Sequence, residues 1–148
     1  MSVTHEVAAP RESVWEVLAD GWRYTNWVVG ATRIRAVQPE WPATGTRICH
    51  SVGVWPLVID DETRVEKCVP REELVLRAKI WPVGEARVTL RLSDAPGGCR
   101  IEMSEVAVAG LMKALPEAVQ QAAFDPRNKE CLWRLANIAE QRHPGEVD

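Results

Sequence analysis

A single apolar stripe follows a long run of strand-like sequence, and that pairing fixes the architecture open to this chain. Cys131, Leu132, Leu135, Ala136, Ile138 and Ala139 recur at helical spacing, so they share one face of a helix. Arg127, Glu130, Arg134, Asn137 and Gln141 fall off that face. Asp125 is a good N-cap, and Pro126 stands at the first helical position, where a missing N–H costs nothing. His143-Pro144-Gly145 is a stop signal. The sequence therefore predicts a helix over about 125–142. Its stripe needs a partner, and from Ile34 to Val108 the chain reads as strand. The expected partner is a sheet that wraps around the helix.

Upstream, a short strand over 2–8 leads through Pro10 into a helix, Arg11–Ala19, with Val14, Trp15 and Leu18 on its buried face. A second short helix is predicted over 22–28, crowding Trp22, Tyr24 and Trp27 together. Strands are predicted over 32–38, 46–52, 57–69, 73–81, 85–93 and 99–109, separated by Gly- and Pro-rich turns. A shorter helical segment over about 116–124 precedes the main helix. The fold class is thus α+β: about seven antiparallel strands, in the order β-α-α-β6-α, curved around a long C-terminal helix. One domain over 1–148 is expected, with 143–148 a disordered tail.

Alternation assigns the strand faces. Leu74, Leu76, Ala78 and Ile80 point inward, as do Ala86, Val88, Leu90 and Leu92. Ile101 and Met103 share a phase with Glu105, Ile59 and Val65 with Asp61, and Ile48 and Val52 with His50. Three ionisable residues, His50, Asp61 and Glu105, therefore land on otherwise apolar faces. A charge there is costly unless it is paired or reached by water. This predicts a cavity with a few polar groups; the plain structural account is a strand end or a bulge.

The chain has seven tryptophans but one tyrosine and one phenylalanine. Tryptophan is an awkward core filler because its N–H wants a partner. In an up-and-down meander the turns carrying Trp55 and Trp81 lie at one end of the sheet, where the last strand also finishes at Gly110. These residues are expected around one opening.

The net charge of −3, with mixed signs, speaks against a nucleic-acid partner. No apolar run is long enough for a membrane span, and no signal peptide is evident, so a cytoplasmic protein is the default. Cys49, Cys68, Cys99 and Cys131 are widely spaced and read as reduced, buried thiols rather than disulfides or metal ligands. Neither metal nor cofactor is expected. No hydrolase elbow, zinc-protease, P-loop or dinucleotide motif occurs. Arg33, Arg35 and Arg47 read as a solvated basic face.

Ala9-Pro10, Val14-Trp15 and Leu18-Ala19-Asp20, followed by Tyr24 and Trp27-Val28-Val29-Gly30, resemble the START-like, or SRPBCC, superfamily. Trp41-Pro42, Gly45-Thr46-Arg47, His50-Ser51-Val52-Gly53, Asp60-Asp61-Glu62-Thr63 and Arg127-Asn128 point to its polyketide cyclase/dehydrase group. The resemblance implies a helix-grip fold with a cavity for an apolar ligand between sheet and helix. It covers nearly the whole chain. The superfamily includes both carriers and enzymes.

The first functional expectation is a carrier or sensor for a lipid-like or aromatic, polyketide-like molecule. The ligand would be held by Trp27, His50, Trp55, Asp61, Leu76, Ile80, Trp81, Leu90, Met103, Glu105 and Leu135. The alternative is an aromatase/cyclase-type enzyme with His50 and either Asp61 or Glu105 moving protons. A third reading is a partner-binding module with Trp41 and Trp133 as exposed anchors. Trp133 lies off the apolar stripe and leaves a homodimer contact open.

Overall fold

The computed structural model describes residues 2–54, 56–80 and 84–141. Strand β1 (Val3–Val7) leads into helix α1 (Arg11–Ala19). A 3-10 turn (Gly21–Arg23) and the one-turn helix α2 (Tyr24–Trp27) follow. Six strands come next: β2 (Ala31–Val37), β3 (Arg47–Val54), β4 (Leu57–Val69), β5 (Glu73–Ile80), β6 (Gly84–Ala95) and β7 (Gly98–Ala109). A 3-10 turn (Leu111–Ala114) precedes the long helix α3 (Glu117–Gln141). All strands pair antiparallel in the order β1-β7-β6-β5-β4-β3-β2. The sheet is a meander whose first strand returns to pair with its last.

The predicted inner face is the buried one. Leu74, Leu76, Val88, Leu90, Leu92, Ile101 and Met103 form one buried cluster with the α3 stripe of Cys131, Leu132, Leu135, Ala136 and Ala139, and Ala86 is buried too. Register shifts at Val65/Lys67 and Glu85/Ala86 mark irregularities in the ladder, and such bulges bend a strand. Val54 pairs with Leu57, Ile80 with Gly84 and Glu85 with Ala109, so the last residues of β3, β5 and β7 lie at one end of the sheet. Gly84 has a positive φ, and a side chain there would strike the Ala109 carbonyl.

The last helix starts earlier than Asp125, and Pro126 lies inside it. Proline removes one backbone bond to the residue four positions earlier. The turn before it is held by other means. Ala107 N donates to Gln120 Oε1 at 3.1 Å, and Gln120 Nε2 donates to the Leu115 carbonyl at 3.0 Å. Gln120, Gln121 and Phe124 are buried and continue the face that Asn128 and Cys131 carry on. Burial and tethering outweigh the local break. The predicted stop at 143–145 and the tail lie outside the described residues.

Two tryptophans differ from expectation. Trp22 is 61% exposed, set apart from Tyr24 and Trp27. Its backbone N–H donates to Asp20, which caps the 3-10 turn. Trp41 is buried rather than an exposed anchor, because its indole N–H reaches the Leu18 carbonyl at 3.1 Å. Trp133 is exposed. Among the described residues, no helix is long and apolar enough to cross a membrane.

Candidate functional site

A pocket of about 320 Å³ lies between the inner face of the sheet and the first half of α3. Val88, Leu76, Met103, Phe124 and Trp27 give it mostly apolar walls. The loop after α2 closes one side and is held to α3 through both polar atoms of Val29. Its N–H points at Cys131 Sγ (3.3 Å), and its carbonyl accepts from Arg127 Nε (3.0 Å).

Two polar groups stand within these walls. The first is a chain of three side chains from three elements. Tyr24 Oη lies 3.0 Å from Thr63 Oγ1, which lies 2.8 Å from His50 Nε2. The His50 and Tyr24 rings stack with centroids 5.3 Å apart, and Trp27 meets Tyr24 edge-on. His50 is only 2% exposed. Its Nδ1 is buried and has no hydrogen-bond partner among the described residues. Burial holds the imidazole below its ordinary 6.5, with the Asp61 carboxylate pulling the other way. Burial pushes the Tyr24 phenol up to about 12, so it stays protonated.

The second group is Glu105, 2% exposed, with Arg127 Nη1 3.5 Å from its Oε1. Burial raises the carboxyl above its ordinary range; Arg127 and a hydrogen bond from Asn128 act against that rise. Arg127 itself stays half-exposed, so its charge is shared with solvent.

Of the residues expected at the site, Trp27, His50, Leu76, Met103 and Glu105 line this pocket. Leu90 and Leu135 are fully buried but lie in the packed core beyond its lining. Asp61 is the cross-strand neighbour of His50. Its Oδ1 accepts from the Glu62 N–H at 2.8 Å, and the residue borders two shallower surface depressions. The group bonded to His50 is Thr63. Trp55, Trp81 and the Ile80 side chain lie outside the described residues. Sequence reasoning missed Tyr24, Thr63 and Arg127. Thr63 shares the strand phase of Ile59, Asp61 and Val65, yet a threonine there carries no signal of its own. Arg127 falls off the apolar stripe, and the stripe alone gives it no place at the site. No group of three or more His, Cys, Asp or Glu among the described residues could hold a metal ion.

The fold is similar to that of protein NE0264 from Nitrosomonas europaea, with a TM-score of 0.73 at 13% identity over 95% of this chain and 94% of that one. It is similar to the di-domain ARO/CYC StfQ from the steffimycin biosynthetic pathway, with a TM-score of 0.74 at 10% identity over 96% of this chain and 50% of StfQ. Ara h 8.0201 matches with a TM-score of 0.73 at 11% identity over 96% of this chain and 97% of that one. At such identities the likeness is one of fold. No curated protein matches the sequence. Residues 1–140 match the family described as polyketide cyclase / dehydrase and lipid transport. The chain belongs to that family, within the START-like (SRPBCC) superfamily of helix-grip proteins that its motifs resemble.

Proposed function

We propose that the pocket between sheet and α3 takes a small hydrophobic molecule and that the protein acts as its carrier or sensor. The supporting observation is the lining: apolar side chains enclose about 320 Å³, with a few polar groups set among them. Ligand sites commonly span about 300–1,000 Å³ and have this composition, so the ligand is a small one. Trp27, Leu76 and Met103 supply apolar contact; His50 and Glu105 supply polar contact. Native mass spectrometry of gently purified protein tests this directly. A retained small-molecule mass, or quenching of fluorescence by an aromatic panel that disappears in Trp27→Phe, is the expected result. An empty protein that no panel member quenches removes the reading.

The co-location of His50 and Glu105 in one pocket favours a second reading, an aromatase/cyclase-type enzyme. Burial moves the imidazole down and the carboxyl up, which brings a base and an acid towards the same pH range. With its Nε2 hydrogen directed at Thr63, His50 would take a proton alpha to a ketone on Nδ1, and Glu105 would protonate the departing hydroxyl during dehydration. Turnover of a tethered diketone that is lost in both His50→Phe and Glu105→Gln would establish it. Undiminished turnover in either variant would end it.

A further inference from the structure

Hydrogen-atom bookkeeping along the Tyr24–Thr63–His50 chain points to one kind of ligand group. Buried donors and acceptors are almost always paired, and each hydroxyl here supplies one hydrogen. If His50 Nε2 carries the proton, it donates to Thr63 and Thr63 donates to Tyr24. That leaves two atoms unmet among the described residues, the Tyr24 hydroxyl hydrogen and the Nδ1 lone pair. In the reverse order Tyr24 donates to Thr63 and Thr63 donates to Nε2. Only one atom is then unmet, a hydrogen on Nδ1 of a ring that lines the pocket. The second arrangement costs less.

We infer that His50 Nδ1–H is a fixed donor that receives a neutral acceptor oxygen, a ketone or similar carbonyl, on an otherwise apolar ligand. This rests on the ligand-binding reading above and specifies the ligand's chemistry. Thr63 and Tyr24 are positioning residues that set the tautomer. A carboxylate suits the pocket poorly. The buried imidazole is neutral and supplies no charge. The Arg127 guanidinium already has the Glu105 carboxylate 3.5 Å away, and an unpaired buried anion is costly.

Three isosteric probes test the inference by calorimetry: methyl 2-naphthyl ketone, its hydrocarbon isostere 2-isopropenylnaphthalene, and 2-naphthoate. The ketone is expected to bind about tenfold more tightly than the hydrocarbon, the worth of one net hydrogen bond, and more tightly than the naphthoate. His50→Phe keeps a ring in place and should bring ketone and hydrocarbon level. In histidine-labelled protein, the nitrogen spectrum should show His50 with the hydrogen on Nδ1, and that signal should move when the ketone is added. Thr63→Val should mix the two tautomers and shrink the ketone preference, with a smaller effect from Tyr24→Phe. Equal binding of ketone and hydrocarbon in the wild type, or a hydrogen on Nε2, overturns the inference and leaves the carrier reading intact. Naphthoate binding tightest, and lost in Arg127→Met, overturns it in favour of an anion site. If none of the three binds, both readings fail together.

Discussion

On the outer face of the sheet, Arg64, Arg77 and Arg87 stand directly opposite one another across β4, β5 and β6. Like charges so placed repel, yet each has a glutamate within 4 Å. Arg77 reaches Glu85 at 2.7 Å, Arg87 reaches Glu66 at 2.8 Å, and Arg64 lies 3.8 Å from Glu62. On the inner face the ionisable groups are fewer and their pairing is poorer. His50 has one nitrogen bonded and one bare. Glu105 has a guanidinium at the long distance of 3.5 Å. The well-matched charges sit in water, where pairing is worth little. The ill-matched groups sit where mismatch costs most. A chain keeps such groups when something other than packing needs them.

The inner face itself has two parts, and the largest predicted effect separates them. Leu90 and Met103 are cross-strand neighbours. Leu90 is fully buried in the packed core, whereas Met103 lines the pocket. Leu90→Ala should cost about 2–5 kcal/mol, the usual range for a truncated core leucine. Met103→Ala should fall at the low end of that range, because the void it leaves opens into existing space. Urea unfolding midpoints of the two variants check this. Equal losses would mean that the space beside Met103 is packed as tightly as the core.

Acidification separates the two inner polar groups by sign. The folded value of His50 lies below its unfolded 6.5. Its contribution to stability is therefore fully present above that pH and lost as pH falls through the folded value. Glu105 lies above its unfolded 4.5. Its contribution is fully present below that pH and is lost as pH rises through the folded value. Asp61 and Glu62 oppose the His50 shift and Arg35 reinforces it; Arg127 and Asn128 oppose that of Glu105. Between pH 8 and pH 5 the wild type should lose stability relative to His50→Phe. Over the same range Glu105→Gln should gain on the wild type as pH rises. Parallel stability curves for wild type and His50→Phe would place His50 in a solvated setting instead.

The same contrast governs what could be read from the sequence. Alternation placed His50, Asp61 and Glu105 on the inner face, and all three are buried. The α3 stripe was legible for the same reason, because burial of apolar groups leaves a period. Hydrogen bonds leave none. Thr63 meets Tyr24 from thirty-nine positions away, and no local pattern announces that meeting. The sequence offers Asp61 or Glu105 to act with His50; Asp61 stands directly opposite it, yet its Oδ1 bonds the amide that follows it. The early start of α3 was hidden too. Asp125-Pro126 carries a strong local start signal, and the tethers that override it run from Gln120 to Ala107 and Leu115.

The smallest effect belongs to the outer face. Arg87 and Glu66 make a close pair, but both side chains are partly exposed, at 42% and 27%. A double-mutant cycle of Arg87→Gln and Glu66→Gln should give a coupling below about 1 kcal/mol. It should shrink further in molar salt, where screening acts within about 3 Å. Glu66 also lies 3.7 Å from Arg77, so removing Glu66 alone should cost more than removing Arg87 alone. It takes a counter-charge from both opposed arginines and leaves only Arg77 with a close glutamate, Glu85. A coupling of several kcal/mol that survives salt would mean the outer ladder behaves as a buried network. The contrast between the faces would then rest on hydrogen-bond satisfaction alone, not on exposure.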